Sequence, residues 1–366
     1  MELISYFVPV FLLCIVVEWW WSHRNEKGFY RLVDTLADLS TGILNQVMTV
    51  LFGAVAIGLY VLLYDVGHIW TFETIPWWLW GIGLLAADLS YYWFHRVSHE
   101  RNFMWLMHVP HHQSEEYNYS VALRQGIAEF LGSMWFHLPW ALVGLPPIWY
   151  FQCVAINTIF QFFVHTRGID KMGPIEGIIN TPATHRVHHA CDPHYLDKNY
   201  AGMFTFYDRL FGTYVPETTP PTFGTVMPLA SWNPLWANGE LIHKINVQSK
   251  GKGLWAWVRL WLSSPADLVD GPFPEVSGRD KYDARPQHNR YGYIFFLFVN
   301  ASVGLNVMLF APELFSALQM WLIGAFVLWS TLNIGAYSEQ KPWSSKSEGG
   351  RMLYGVALVS VLMLTV

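Results

Sequence analysis

The chain has 366 residues, of which 53% are hydrophobic and only 13% charged. That balance excludes an ordinary soluble enzyme and implies a multi-pass membrane protein. A net charge of −5, with no basic arm and no aromatic RNA-binding signature, excludes a nucleic-acid partner.

In chain order, apolar stretches at 3–22, 42–64, 75–94, 291–310 and 316–336 are each long enough to cross a bilayer. Crossing its roughly 30 Å hydrocarbon layer takes about 20 helical residues. The first stretch has neither a basic residue before it nor a small-residue cleavage site after it, so it reads as a retained helix rather than a signal peptide. Between 127 and 164 the apolar run is broken by "GLPP" at 144–147, whose prolines end one helix and start the next, giving a helical hairpin. In the insert that follows, 232–245 and 253–262 alternate tryptophans with polar residues. They read either as helices in the membrane interface or as a cover for the insert's own core. Residues 264–290, rich in Pro, Gly and Asp, read as a linker with little regular structure, and a shorter apolar stretch at 352–366 ends the chain.

Charge orients this layout. All 22 Lys and Arg fall within 24–31, 96–124, 167–290 or 341–351, whereas the connections 65–78, 144–147 and 310–315 contain none. Because basic residues stay preferentially in the cytoplasm, the N-terminus is expected outside and the basic regions inside. The chain therefore divides into membrane helices over 1–94, a histidine-rich region over 95–290 that includes the hairpin, and membrane helices over 291–366. The expected fold is an all-α, multi-pass transmembrane protein with a histidine-rich cap on the cytoplasmic side of a bacterial inner membrane or the endoplasmic reticulum.

Eight of the 15 histidines form three clusters: His95 with His99, His108 with His111 and His112, and His185 with His188 and His189. On helices these spacings put imidazoles about one turn apart on a common face. Neutral imidazole suits Fe, Zn, Cu or Ni, and eight such ligands exceed what one ion takes. A site for two metal ions follows. It is not a carboxylate-bridged bundle, because the membrane helices carry no Glu-x-x-His pair.

His165, at the end of the hairpin's second helix, is a candidate ninth ligand. Asp88, on the helix face of Tyr92, His95 and His99, is a candidate acceptor for a ligand histidine's second N–H, the alternative being a plain interhelical hydrogen bond. His194, Asp197, Lys198 and Asn199 follow the last cluster and read as loop, with a supporting or substrate-side role as the alternative. Pro110 is expected to leave His108 just before the helix that carries His111 and His112. His23, His68, His137, His243 and His288 are isolated and take no ligand role. Cys14, Cys153 and Cys191 have no paired spacing and imply neither a disulfide framework nor a zinc ribbon.

The order "HRVSH", "HVPHH", "HRVHH" resembles the signature of the fatty acid hydroxylase or sterol desaturase superfamily of membrane diiron oxygenases. Within it, "YYWFHRVSHE", "HHQSEEYNYSVALRQ", "NTPATHRVHHACDPHYLDKNYAG" and "DRLFGTY" are similar to the alkylglycerol monooxygenase branch over about residues 80–216. The resemblance implies two iron ions on the eight clustered histidines, with Glu100 matching the acid that follows the first box. It also implies O₂ and a lipid substrate hydroxylated at the carbon beside an ether oxygen. Tetrahydrobiopterin is the reductant of the animal representatives, and an electron-donor protein is the alternative. A hydroxylase or desaturase of an acyl, sterol or bacterial aminolipid is the alternative enzyme, and a non-redox metal protein or transporter the alternative of another class.

Overall fold

The apolar runs become helices, and no β-strand occurs among the described residues of the computed structural model, 2–269 and 271–365. Met1, Asp270 and Val366, which fall in the expected N-terminal, linker and C-terminal stretches, lie outside the described residues. Helix α1 (Glu2–Arg24) is followed by α2 (Leu32–Val66), which at 35 residues is roughly 52 Å long and exceeds the hydrocarbon layer. Its first turns therefore stand in the cap, where Asp34 and Asp38 are buried. Next come α3 (Trp77–Glu100), α4 (Asn102–His112) and the single turn α5 (Tyr119–Ala122).

The expected hairpin is α6 (Glu129–Val143) with α7 (Pro147–Val164). Gly144 closes α6 in the left-handed region, φ 107°, donating to the Trp140 and Ala141 carbonyls, and the pyrrolidine of Pro147 opens α7. The cap adds α8 (Pro182–His188), α9 (Phe206–Leu210), α10 (Pro234–Ser249) and α11 (Leu254–Leu262), and the chain returns through α12 (Tyr291–Phe310), α13 (Ala317–Ser338) and α14 (Ser344–Thr365).

Five stretches among the described residues are long and apolar enough to cross a membrane: Tyr6–Arg24, Leu32–Val66, Pro147–Val164, His288–Phe310 and Ala317–Ser338. One expected span, 75–94, falls outside that set, as does the shorter stretch at the chain's end. Helix α3 carries Asp88, Ser90 and its tyrosines within the span, and α14 begins earlier than expected, with polar turns around the buried Glu348–Arg351 pair. At 15 residues α6 reaches only about 22 Å.

The three base-free connections share one end of the bundle. Ile69 N–H donates to the Leu142 carbonyl at 2.9 Å, which ties the α2–α3 connection to the hairpin turn. Leu36, near the start of α2, packs with Ile294 and Tyr337, whereas Val47, further along, packs with Met308 and Ile323. Helix α12 thus runs alongside α2 in the same direction, and the α12–α13 turn lies at that same end. At the opposite end the C-termini of α3 and α7 deliver their histidines.

The two tryptophan-rich helices differ. Helix α10 buries Ala237, Leu241 and Ile245, so it covers the cap's core. Helix α11 buries no residue, and Leu254 and Trp255 are largely exposed, as an interfacial helix requires. Among the described residues between α11 and α12, only two short 3₁₀ turns interrupt irregular chain, in keeping with the expected linker.

Candidate metal centre

Helix α3 ends at Glu100, and Arg101 turns the chain in extended conformation. Asn102 anchors the start of α4 to the cap by donating to the Leu260 carbonyl at 2.8 Å. Helix α4 then returns past the end of α3, so that His108 and His112 meet His95 and His99. Contrary to expectation, Pro110 does not exclude His108 from the helix, because α4 runs through the ring to His112. The ring removes one N–H donor near the end of the helix, and Arg124 Nε donates to the Pro110 carbonyl. Helix α8 starts with Pro182 after Thr181, whose hydroxyl accepts from Thr184 N–H, and carries His185 and His188, with His189 as its C-cap.

Nine buried imidazoles meet in two groups. His95, His99, His108, His112 and His188 form one; His111, His165, His185 and His189 form the other. Within each group one nitrogen per residue lies within 4.8 Å of every other. The groups cut across the sequence clusters, because pairs four apart (95/99, 108/112, 185/189) share a helix face while His111 and His188 face the other way.

Five of the outer nitrogens are held, whereas His185 Nδ1 is buried without a partner. His95 Nδ1 is 2.7 Å from the Tyr200 carbonyl, His111 Nδ1 is 2.9 Å from that of Arg124, and His188 Nδ1 is 2.9 Å from that of Lys198. His165 Nδ1 lies 2.7 Å from the Gln161 carbonyl, and His108 Nδ1 lies 3.3 Å from Glu129 Oε1. A carbonyl accepts only from N–H, so it fixes the tautomer and leaves the Nε2 lone pair facing inward. Inside, Nε2 atoms crowd at 3.1–3.2 Å in the pairs His108/His112, His112/His188, His111/His165 and His165/His185. His95, His99 and His189 Nε2 are buried without a hydrogen-bond partner. Converging lone pairs that lack a proton fit a cation.

Burial also keeps these rings neutral, holding His108 and His188 down at about 3, and burial followed by the neighbouring His108 holds His111 at about 4. The donor set therefore fits metal ions, and an all-imidazole set fits iron among the metals it suits.

Asp88 takes the alternative expected of it, an interhelical hydrogen bond, here from α7. Asp88 bonds to no ligand histidine. It accepts from Asn157 Nδ2 at 2.8 Å and from Met203 and Phe204 N–H, both at 2.8 Å. The loop it clamps supplies the Tyr200 carbonyl to His95, so its action on the centre is two steps removed. Glu100 belongs to neither group; it points outward and pairs with Arg96 at 2.8 Å. Glu115 and Glu116 are buried in ion pairs with Arg279, Arg31, Arg167 and Lys281.

Sequence reading missed the backbone carbonyls, which carry no residue signal, and Glu129, which opens α6 outside every histidine cluster. Asp197 stands closer to the centre than a loop role implied: its φ is 58°, and its Oδ1 lies 3.9 Å from His99 Nδ1. His194 bonds instead to the Thr219 hydroxyl at 3.2 Å.

A cavity of about 140 Å³ opens beside the first group, lined by the buried His99, His112 and His188 together with Trp105 and Asp197. Trp105 packs its ring 4.8 Å from that of His99 and 5.4 Å from that of His112. Apolar side chains, Val109, Leu196, Leu241 and Val226 among them, form most of the remaining wall. The site thus combines a buried histidine centre with an apolar slot leading to it.

Residues 80–213 match the fatty acid hydroxylase family. An alkylglycerol monooxygenase of Danio rerio is 31% identical over 361 residues, covering 94% of this chain and 78% of the relative. That of Homo sapiens is 34% identical over 292 residues, covering 75% and 63%. An ornithine lipid hydroxylase of Rhizobium tropici is 26% identical over 137 residues, covering 36% and 40%. No solved structure matches the chain significantly. Two buried histidine groups at the end of a membrane bundle, and similarity that runs the length of the chain, lead to one conclusion: the protein is a membrane oxidoreductase of the fatty acid hydroxylase family, homologous to the alkylglycerol monooxygenases.

Proposed function

We propose that the chain is an O₂-dependent diiron monooxygenase that cleaves ether-linked glycerolipids, with one iron in each histidine group. The likeness to alkylglycerol monooxygenases over 94% of the chain carries this reading. The overall reaction takes the lipid, O₂, two electrons and two protons to the hydroxylated lipid and water. Hydroxylation of the alkyl carbon beside the ether oxygen gives a hemiacetal, which collapses to a fatty aldehyde and glycerol. Iron held by the nine histidines supplies the O₂ activation that an unactivated C–H bond demands.

The chain's own residues orient and exclude. Carbonyls of Tyr200, Arg124, Lys198 and Gln161 hold the Nδ1–H of four ligands and so aim their Nε2 atoms. Burial keeps water from the rings, and the apolar slot places an alkyl carbon beside the first group. We assign the centre to the cytoplasmic face, since the three base-free connections lie at the other end. A reduced pterin is the proposed electron source.

The test supplies alkylglycerol, O₂ and tetrahydrobiopterin to membranes containing the protein and measures fatty aldehyde. Aldehyde formation supports the reading. If a ferredoxin or cytochrome system instead drives hydroxylation of an acyl or sterol substrate, both the substrate and the reductant are wrong.

A further inference from the structure

Besides the neutral histidines and the exposed Asp197, the cavity wall holds one pair of opposite charges. Glu240 and Lys244, one turn apart on α10, are bonded at 2.5 Å, and both line the wall. Glu240 is 8% exposed, an unusual place for a carboxylate in an otherwise apolar slot. The pair belongs to none of the networks that build the metal centre. A solvated surface pair contributes little to stability, and a half-buried one loses hydration as well, so α10 gains little fold stability from it.

We infer that Glu240 and Lys244 form the headgroup subsite of this cavity and select an uncharged lipid head with free vicinal hydroxyls. The inference rests on the ether-lipid reading above. Charge argues for the class of head. A paired carboxylate and ammonium present acceptors and donors with almost no net charge, which complements hydroxyls that both donate and accept. A phosphate would have to compete with Glu240 for the ammonium, and a quaternary amine would face Lys244.

Size argues for how the lipid sits. At about 10–15 Å³ of such space per water-sized group, 140 Å³ takes on the order of ten heavy-atom groups. That is a glycerol head and the first chain carbons. The rest of a long chain must leave through the mouth, where Met227 and Phe273 are apolar and about half exposed. Neighbouring Pro265 and Leu268 belong to the 3₁₀ turn that directly follows α11, the helix with exposed Leu254 and Trp255. The reacting carbon, next to the head, then falls near His99, His112 and His188.

The experiment uses the full-length protein in lipid nanodiscs. Calorimetric titration without O₂ or reductant compares 1-O-hexadecylglycerol with its 2,3-di-O-methyl ether. Wild type should bind the diol about 10- to 100-fold more tightly, since the ether has no O–H to donate to the Glu240 carboxylate and adds two methyl groups beside the ion pair. Glu240→Leu should remove most of that preference while leaving affinity for the dimethyl ether and the metal content unchanged, and Glu240→Gln, which preserves shape and an amide oxygen, should fall between. Equal binding of both ligands by wild type, or an equal loss of both in the variants, would overturn the assignment. A turnover arm separates the two readings. If wild type makes aldehyde and Glu240→Gln keeps the full diol preference, the subsite is wrong; if wild type makes no aldehyde from any ether lipid, the proposed function is wrong.

Discussion

The Nε2 atoms of His111 and His165 lie 3.2 Å apart, though His111 is on α4 and His165 is the residue that caps α7. Each ring is turned inward by a carbonyl on its other nitrogen. A hairpin helix thus supplies a ligand to the second group, and that group has only four members. His165→Ala should lower the metal content of purified protein from two ions per chain to about one and abolish turnover. Elemental analysis checks it. Two ions retained with full activity would remove His165 from the ligand set.

Gly202 explains how the membrane helices grip the cap. A Cβ there would stand 2.6 Å from Asn157 Oδ1 and 2.8 Å from Asp88 Oδ1. Gly202→Ala should therefore break the Asp88 clamp on 203–204, release the Tyr200 carbonyl from His95, and destabilise the protein by about 1–3 kcal/mol. Asp88→Ala, which leaves two N–H groups unpaired, should act in the same direction. Thermal unfolding in detergent, compared with wild type, reads both, and unchanged melting would show that the clamp is idle.

Acid should unfold the metal-free protein. Below the ordinary histidine value of 6.5 the unfolded chain takes up protons that folded His108, His188 and His111 refuse until about 3 or 4. Their contribution to stability is therefore complete above pH 6.5 and lost as pH falls toward 4. Three such groups give a limiting slope of about 4 kcal/mol per pH unit. Melting temperatures of metal-free protein at pH 7, 6 and 5 should decrease steeply. A flat profile would mean that these rings are solvated.

Topology is open to direct labelling. Trp70 is exposed on the connection bonded to the hairpin turn, and Lys250 is exposed beyond α10 at the basic end. A cysteine replacing Trp70 should react with an impermeant thiol reagent from outside, and one replacing Lys250 should not. The reverse pattern would invert the assignment of the histidine centre to the cytoplasm. Cys191, whose thiol burial raises to about 11, should stay silent in both experiments at neutral pH.

Much of this arrangement was legible in the residues. Apolar length identified the bundle, "GLPP" the hairpin, and one-turn spacing the histidines that meet. The division into groups was not, because it depends on which face of α4 and α8 each ring takes, and a five-letter box hides that a pair four apart turns together. For Asp88 the sequence left two choices open, and the interhelical bond holds rather than a direct bond to a ligand, because the loop at 203–204 arrives from far along the chain and claims the remaining lone pairs. Pro110 suggested a break that a helix near its end can tolerate.

The left-handed turn at Asp197 and Asn199 (φ 58° and 56°) brackets Lys198, whose carbonyl holds His188. Neither group can be assembled from one stretch of chain, since the first needs His95 together with His188 and the second needs His111, His165 and His189. Chain entropy opposes such distant meetings until the intervening segments have docked. During synthesis, then, neither group is complete until α8 has emerged. The first group also needs the turn at 197–199, whose Lys198 carbonyl holds His188, so completion of that group reports that this end of the molecule has finished folding.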